Sequence, residues 1–114
     1  MSHDDIQEFE SETSRGKIKA RFIQMENGLL VMITESEKYR LGVSAIAIPP
    51  GQGRSSPSSK SEFSVGVEDA LVRSIAERLA AWTNQMCMLV LGMKEIDRAL
   101  MMEIMSFLKM HLVS

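Results

Sequence analysis

A single cysteine, Cys87, stands among the 114 residues. One thiol excludes an intramolecular disulfide framework and a cysteine-rich zinc site. Excess charge of one sign is also missing: thirteen Lys and Arg face fifteen Asp and Glu, a formal net charge of -2. A general nucleic-acid binder draws its affinity from a net basic surface, so that class is excluded. Nothing resembles a signal peptide, because residues 1–14 hold Asp4, Asp5, Glu8, Glu10 and Glu12 with no Lys or Arg. Long apolar runs are absent too. The longest, residues 28–33 and 86–93, fall far short of the about 20 residues that cross a bilayer. With the free thiol, these absences predict a cytoplasmic protein that makes no use of membranes.

What is present is the composition of one soluble globular domain, 45% hydrophobic and 25% charged. The acidic residues 1–14, anchored only by Ile6 and Phe9, read as a mobile N-terminus. A single domain then fills 15–114. Over residues 17–24, Ile18, Ala20 and Phe22 alternate with Lys17, Lys19 and Arg21, the period of a half-buried strand. Asn27-Gly28 suits a two-residue hairpin, and residues 29–34 form an apolar return strand. A third strand is predicted over 39–48, where Tyr39, Leu41, Val43, Ala45 and Ala47 alternate. Residues 49–61, rich in Pro, Gly and Ser, lack any large apolar side chain and read as a flexible loop. A short strand at 62–65 rejoins the sheet.

The second half reads helix, strand, helix. Over 68–83, Leu71, Ile75, Leu79 and Trp82 recur at helical spacing, and Asn84 suits the exit. Residues 86–91 form a short apolar run, best taken as a buried strand closed by Gly92. The last helix spans 96–112, with Asp97 at its start and Lys109 and His111 at its end, as the helix dipole favours. Its stripe of Leu100, Met101, Ile104, Met105, Leu108 and Leu112 faces the core, but Met102, Phe107 and Met110 carry apolar surface beyond it. These three are predicted to meet a second subunit or a partner. The fold class that follows is α+β, an antiparallel sheet of five or six strands with two main helices packed together.

No catalytic constellation emerges. The segment Pro-Pro-Gly-Gln-Gly-Arg-Ser-Ser at 49–56 lacks the lysine and the following helix that a phosphate loop needs. His3 and His111 lie at opposite ends, and neither pairs with Cys87 as nucleophile and base. No metal-ligand spacing and no cofactor fingerprint is present. Lys17, Lys19 and Arg21 share one strand face, either as a charged guard against edge pairing or as a patch for an acidic partner. A docking face for the protein's own acidic N-terminus is the further alternative. Ten methionines supply adaptable apolar surface, suited to core filling or to a partner.

From residue 67 onward the chain resembles a known family. A helix ending Leu79-Ala80-Ala81-Trp82-Thr83-Asn84 runs into the strand Gln85-Met86-Cys87-Met88-Leu89-Val90-Leu91 and closes with a long helix. This layout is similar to that of the small proteasome-assembly chaperones, the later-acting dimer subunit type and its archaeal relatives. The resemblance implies a non-catalytic chaperone that forms a homodimer, or a heterodimer with a paralogue, and binds 20S proteasome α-subunits during ring assembly. It implies no cofactor. The chain ends His111-Leu112-Val113-Ser114, without the hydrophobic-Tyr-X tail of some proteasome-binding chaperones. A second class stands beside it: a small ligand-binding or enzymatic domain with a pocket at a dimer interface and the 49–61 loop as lid.

Overall fold

The computed structural model describes residues 5–35, 37–49, 58–62, 67–93 and 96–112. Strands β1 (Ile6–Thr13), β2 (Gly16–Met25), β3 (Gly28–Thr34), β4 (Val43–Ile48) and β5 (Ser58–Glu62) precede helix α1 (Val67–Thr83). Strand β6 (Cys87–Gly92) and helix α2 (Arg98–Leu112) follow. The six strands form one sheet in the order β1-β2-β3-β6-β4-β5. The α+β class, the strand-rich first half and the helix-strand-helix second half agree with the sequence reading. One pairing departs from an antiparallel sheet: β6 lies parallel to β3. Helix α1 returns the chain along the sheet before β6 begins, so β6 enters the gap between β3 and β4 in the direction of β3. The sheet is therefore mixed.

Alternation along the strands sorts the side chains by face. Ile18, Ala20 and Phe22 on β2, Val31 and Ile33 on β3, Ala45 and Ala47 on β4, and Cys87, Leu89 and Leu91 on β6 are all buried in one core. The helices complete that core with Val72, Ile75, Ala76 and Leu79 from α1 and Leu100, Ile104, Phe107 and Leu108 from α2. Both helices thus cover the same face, and among the described residues the opposite face carries no helix. Helix α2 starts at a capping aspartate, since the Leu100 amide donates to Asp97 Oδ1 at 2.8 Å. Helix α1 exits through Asn84, which takes a left-handed φ of 53°.

Three readings of the sequence need correction. Residues 6–13, expected within a mobile N-terminus, are the edge strand β1, paired antiparallel with β2 from Ile6↔Ile23 to Thr13↔Gly16. Opposite charges across the ladder hold it there, with Arg21 Nη2 2.8 Å from Glu8 Oε2 and Lys17 Nζ 3.7 Å from Glu10 Oε2. The 49–61 loop stops earlier than expected: Ser58–Glu62 pairs with β4, while residues 50–57 and most of the expected 62–65 strand lie outside the described residues. Backbone pairing with β4 defines β5, whose Ser-rich sequence has no apolar alternation to announce it. The turn of the second hairpin is Glu26–Asn27, one residue earlier than read, because Met25 pairs with Gly28. Gly28 serves the strand instead. A Cβ there would sit 2.5 Å from the Met86 carbonyl oxygen, which accepts the Leu29 amide at 2.8 Å.

Candidate functional site

The helix-free face of the sheet is the place to look for a site, since its side chains are not committed to the core. Register places them in rows that cross the strands. One row reads Ile6, Ile23, Leu30, Met88 and Ile46. The next, about 7 Å along the strands, reads Glu8, Arg21, Met32, Val90 and Ser44. The face therefore divides into an apolar end and a charged end.

At the charged end, polar groups are answered within the chain. Arg21 donates to Glu8 Oε2 from both Nε and Nη2, at 3.1 and 2.8 Å. Tyr39, from the connection between β3 and β4, donates its hydroxyl to the same oxygen at 3.1 Å and lies 4.6 Å under the Arg21 guanidinium. Lys19 donates to the Glu37 carbonyl at 2.9 Å. The Arg21 hydrogen bond holds the Glu8 carboxyl below its ordinary range, partly offset by burial. Burial, then the hydrogen bond to Glu8, pushes the Tyr39 phenol up to about 12. Lys17 and Arg21 thus meet Glu10 and Glu8 of β1, and Lys19 meets the backbone carbonyl of Glu37.

At the apolar end no such partner is present among the described residues. Met25, Asn27, Gly28, Leu30, Ile46, Met86 and Met88 line a shallow dip of about 230 Å³. Gly28 lets the chain pass close to the Met86 backbone, which a Cβ there would strike. Of the eight exposed large apolar side chains among the described residues, Ile6, Met25, Ile48, Met86 and Met88 belong to this one face. Met25, Met86 and Met88 are unbranched thioethers that repack around whatever they touch. Gln24 and Gln85, amide-paired at 2.8 Å, stand at the same end of the sheet on its other side.

The α2 trio separates. Phe107, read as an interface residue, is only 3% exposed and belongs to the core. Strand β1 is the reason: Phe9 stacks on His111 at 3.9 Å, and His111 meets the Phe107 ring edge-on at 5.0 Å. Ser14 fastens the same hairpin to α2, its amide and hydroxyl each donating to Glu103 at 2.9 Å. Met102 and Met110 stay exposed, at 60% and 64%. Cys87 is buried, and burial raises its thiol pKa, so it is held as the neutral thiol. Among the described residues no group of three or more His, Cys, Asp or Glu is placed to hold a metal ion. Nor is any helix there long and apolar enough to cross a membrane.

The model of the prenylated flavin chaperone LpdD-like domain matches residues 12–112, nearly the whole chain. The chain belongs to this family. LpdD-like domains are chaperone domains, so the protein is of a non-catalytic type. No curated protein matches it significantly. Among solved structures it is similar to a chain of a novel chaperone complex for yeast 20S proteasome assembly. That likeness has a TM-score of 0.63 at 12% identity and covers 95% of this chain and 98% of the other. At that identity only the fold is shared. The LpdD-like assignment overturns the expectation of proteasome assembly and of proteasome α-subunits as partners. The residues that carried the resemblance, helical Leu and Ala before an apolar strand, specify layers and packing rather than a site.

The sequence reading passed over Met25, Leu30, Ile46, Met86 and Met88. Residues 86–91 read as uniformly apolar, which hides that Met86 and Met88 face away from Cys87 and Leu89. Only the position of the two helices reveals which alternate set stays uncovered.

Proposed function

We propose that the protein carries a prenylated flavin toward the flavoprotein that uses it, seating the apolar part of the cofactor on the methionine end of the open sheet face. The family assignment supports the cargo. The observation that carries the site is the apolar dip rimmed by Met25, Met86 and Met88 on the sheet face opposite the two helices. Its chemistry fits a planar ring extended by a prenyl-derived group: thioethers pack against aromatic surface, and Leu30 and Ile46 add aliphatic contact. At about 230 Å³ the dip is smaller than the roughly 300–1,000 Å³ of sites that enclose a ligand. It covers the apolar part of the cofactor and leaves the ribityl phosphate outside. A shallow seat suits a carrier, which has to release what it holds. The protein does this work in the cytoplasm, in keeping with its single unpaired thiol.

Titration of the purified protein with prenylated flavin mononucleotide, followed by the cofactor's absorbance, tests the reading. Binding is expected, with plain flavin mononucleotide weaker because it lacks the added apolar ring. Met88→Asp should weaken the prenylated form by about tenfold or more, since a carboxylate then loses water against an apolar ligand. Undiminished binding by a folded Met88→Asp protein, or no binding by the wild type, overturns it.

A further inference from the structure

The three exposed methionines of the open face have a reactivity as well as a shape. Met25, Met86 and Met88 converge on one dip, at 47%, 38% and 38% exposure, whereas Met93 is 8% exposed and packed in the core. We infer that Met25, Met86 and Met88 form a sulfoxidation site at which a peroxide switches the open face from apolar to polar. The inference rests on the proposed role of that face. In the reaction a thioether sulfur lone pair attacks one peroxide oxygen and the O–O bond breaks. An S–O bond forms, the sulfur loses two electrons, and with hydrogen peroxide the departing hydroxide takes the proton from the new S–OH group and leaves as water. A strongly polar S=O replaces an apolar sulfur at a position where any ligand would have to strip its water.

Two features make this a property of the face rather than of methionine in general. The dip is built from little else: apart from the three thioethers, the open-face apolar side chains that line it are Leu30 and Ile46. None of the three methionines belongs to the core, so their oxidation alters the surface while leaving the packing intact. Met102 and Met110 on α2 are at least as accessible, at 60% and 64%. They will oxidise too, but they lie on the helix layer, away from the dip.

The test exposes the full chain to graded hydrogen peroxide and maps sulfoxide by peptide mass spectrometry. The same samples are assayed with Nile red, an apolar dye, and with prenylated flavin mononucleotide. Met25, Met86 and Met88 are expected to oxidise well before Met93. Dye binding should fall by about tenfold as they do, with an unchanged circular dichroism spectrum and recovery on treatment with methionine sulfoxide reductases. Whatever its starting affinity for the dye, the triple variant M25L/M86L/M88L should show the same affinity before and after peroxide, while M102L/M110L should remain peroxide-sensitive. Unchanged dye binding by the oxidised wild type overturns the inference. So does equal loss in the triple variant, or oxidation of the three no faster than that of Met93. Dye bound without flavin counts against the cargo reading alone, and the dye's peroxide sensitivity then still decides the switch.

Discussion

The two ends of the open sheet face are built on the same strands and meet water in opposite ways. At one end, Glu8, Arg21, Lys19 and Tyr39 answer one another across β1, β2 and the segment after β3. At the other, Met25, Met86, Met88 and Ile48 remain exposed with no described segment over them. The charged end is complete within the chain and has little left to offer a ligand. The methionine end is left apolar at a standing cost in solvation, the usual mark of a surface that is covered in use. The exposed side chains that satisfy one another hold the fold together; those that satisfy nothing are the candidates for function.

Breaking the methionine end at Gly28, one of its lining residues, should have the largest effect. Gly28→Val places a branched side chain against the Met86 carbonyl, where backbone rather than a flexible side chain must yield. A loss of about 2 kcal/mol or more in chemical denaturation is expected, together with loss of cargo binding. Phe9→Ala attacks the other end through its anchor, removing the ring that stacks on His111 and packs against Phe22. Because Phe9 is only partly buried, the expected cost is about 1–2 kcal/mol. Faster hydrogen exchange should appear in β1 and the last turn of α2, with little change around Met88.

A smaller effect separates the ends by pH. The folded Glu8 pKa lies below its ordinary 4.5, so the stability from its pairing is present above pH 4.5 and drains away as pH falls through the lower folded value. Arg21→Met should cost less than about 1 kcal/mol at neutral pH, since the pair is partly exposed. The difference from wild type should vanish in acid. A difference that persists at low pH would mean that Arg21 acts through packing, not charge. The smallest effect is the cleanest to read, because Tyr39 is the only tyrosine. Its folded pKa of about 12 lies above the ordinary 10.0, so its contribution is intact below pH 10 and is lost as pH rises toward 12. Tyrosinate absorbance should titrate late in the native protein, and earlier in Glu8→Gln, which removes the second cause of the shift.

Much of this architecture is legible in residue order. Alternation at Ile18, Ala20 and Phe22 marks β2, and the helical spacing of Ile75, Leu79, Ile104 and Leu108 marks the buried stripes of α1 and α2. Less legible are β1 and β5. Neither has an apolar alternation strong enough to be seen; β1 is held by charges on the neighbouring strand β2, and β5 is recognised by its backbone pairing with β4. Phe107 shows the same limit from the other side. Its surplus of apolar surface on α2 is real, but Phe9 of the same chain helps to cover it.

What the sequence determined by itself is whatever depends on neighbours a few residues away: the period of each element, the Asp97 cap, the Asn84 exit and the composition of the core. Tertiary structure alone decided that β6 enters parallel to β3, that both helices take the same face, and that Met25, Met86 and Met88 meet around Gly28. The reason is physical. Alternation tells a strand which side chains lie together, but both faces of an apolar strand look alike until the helices choose one to cover.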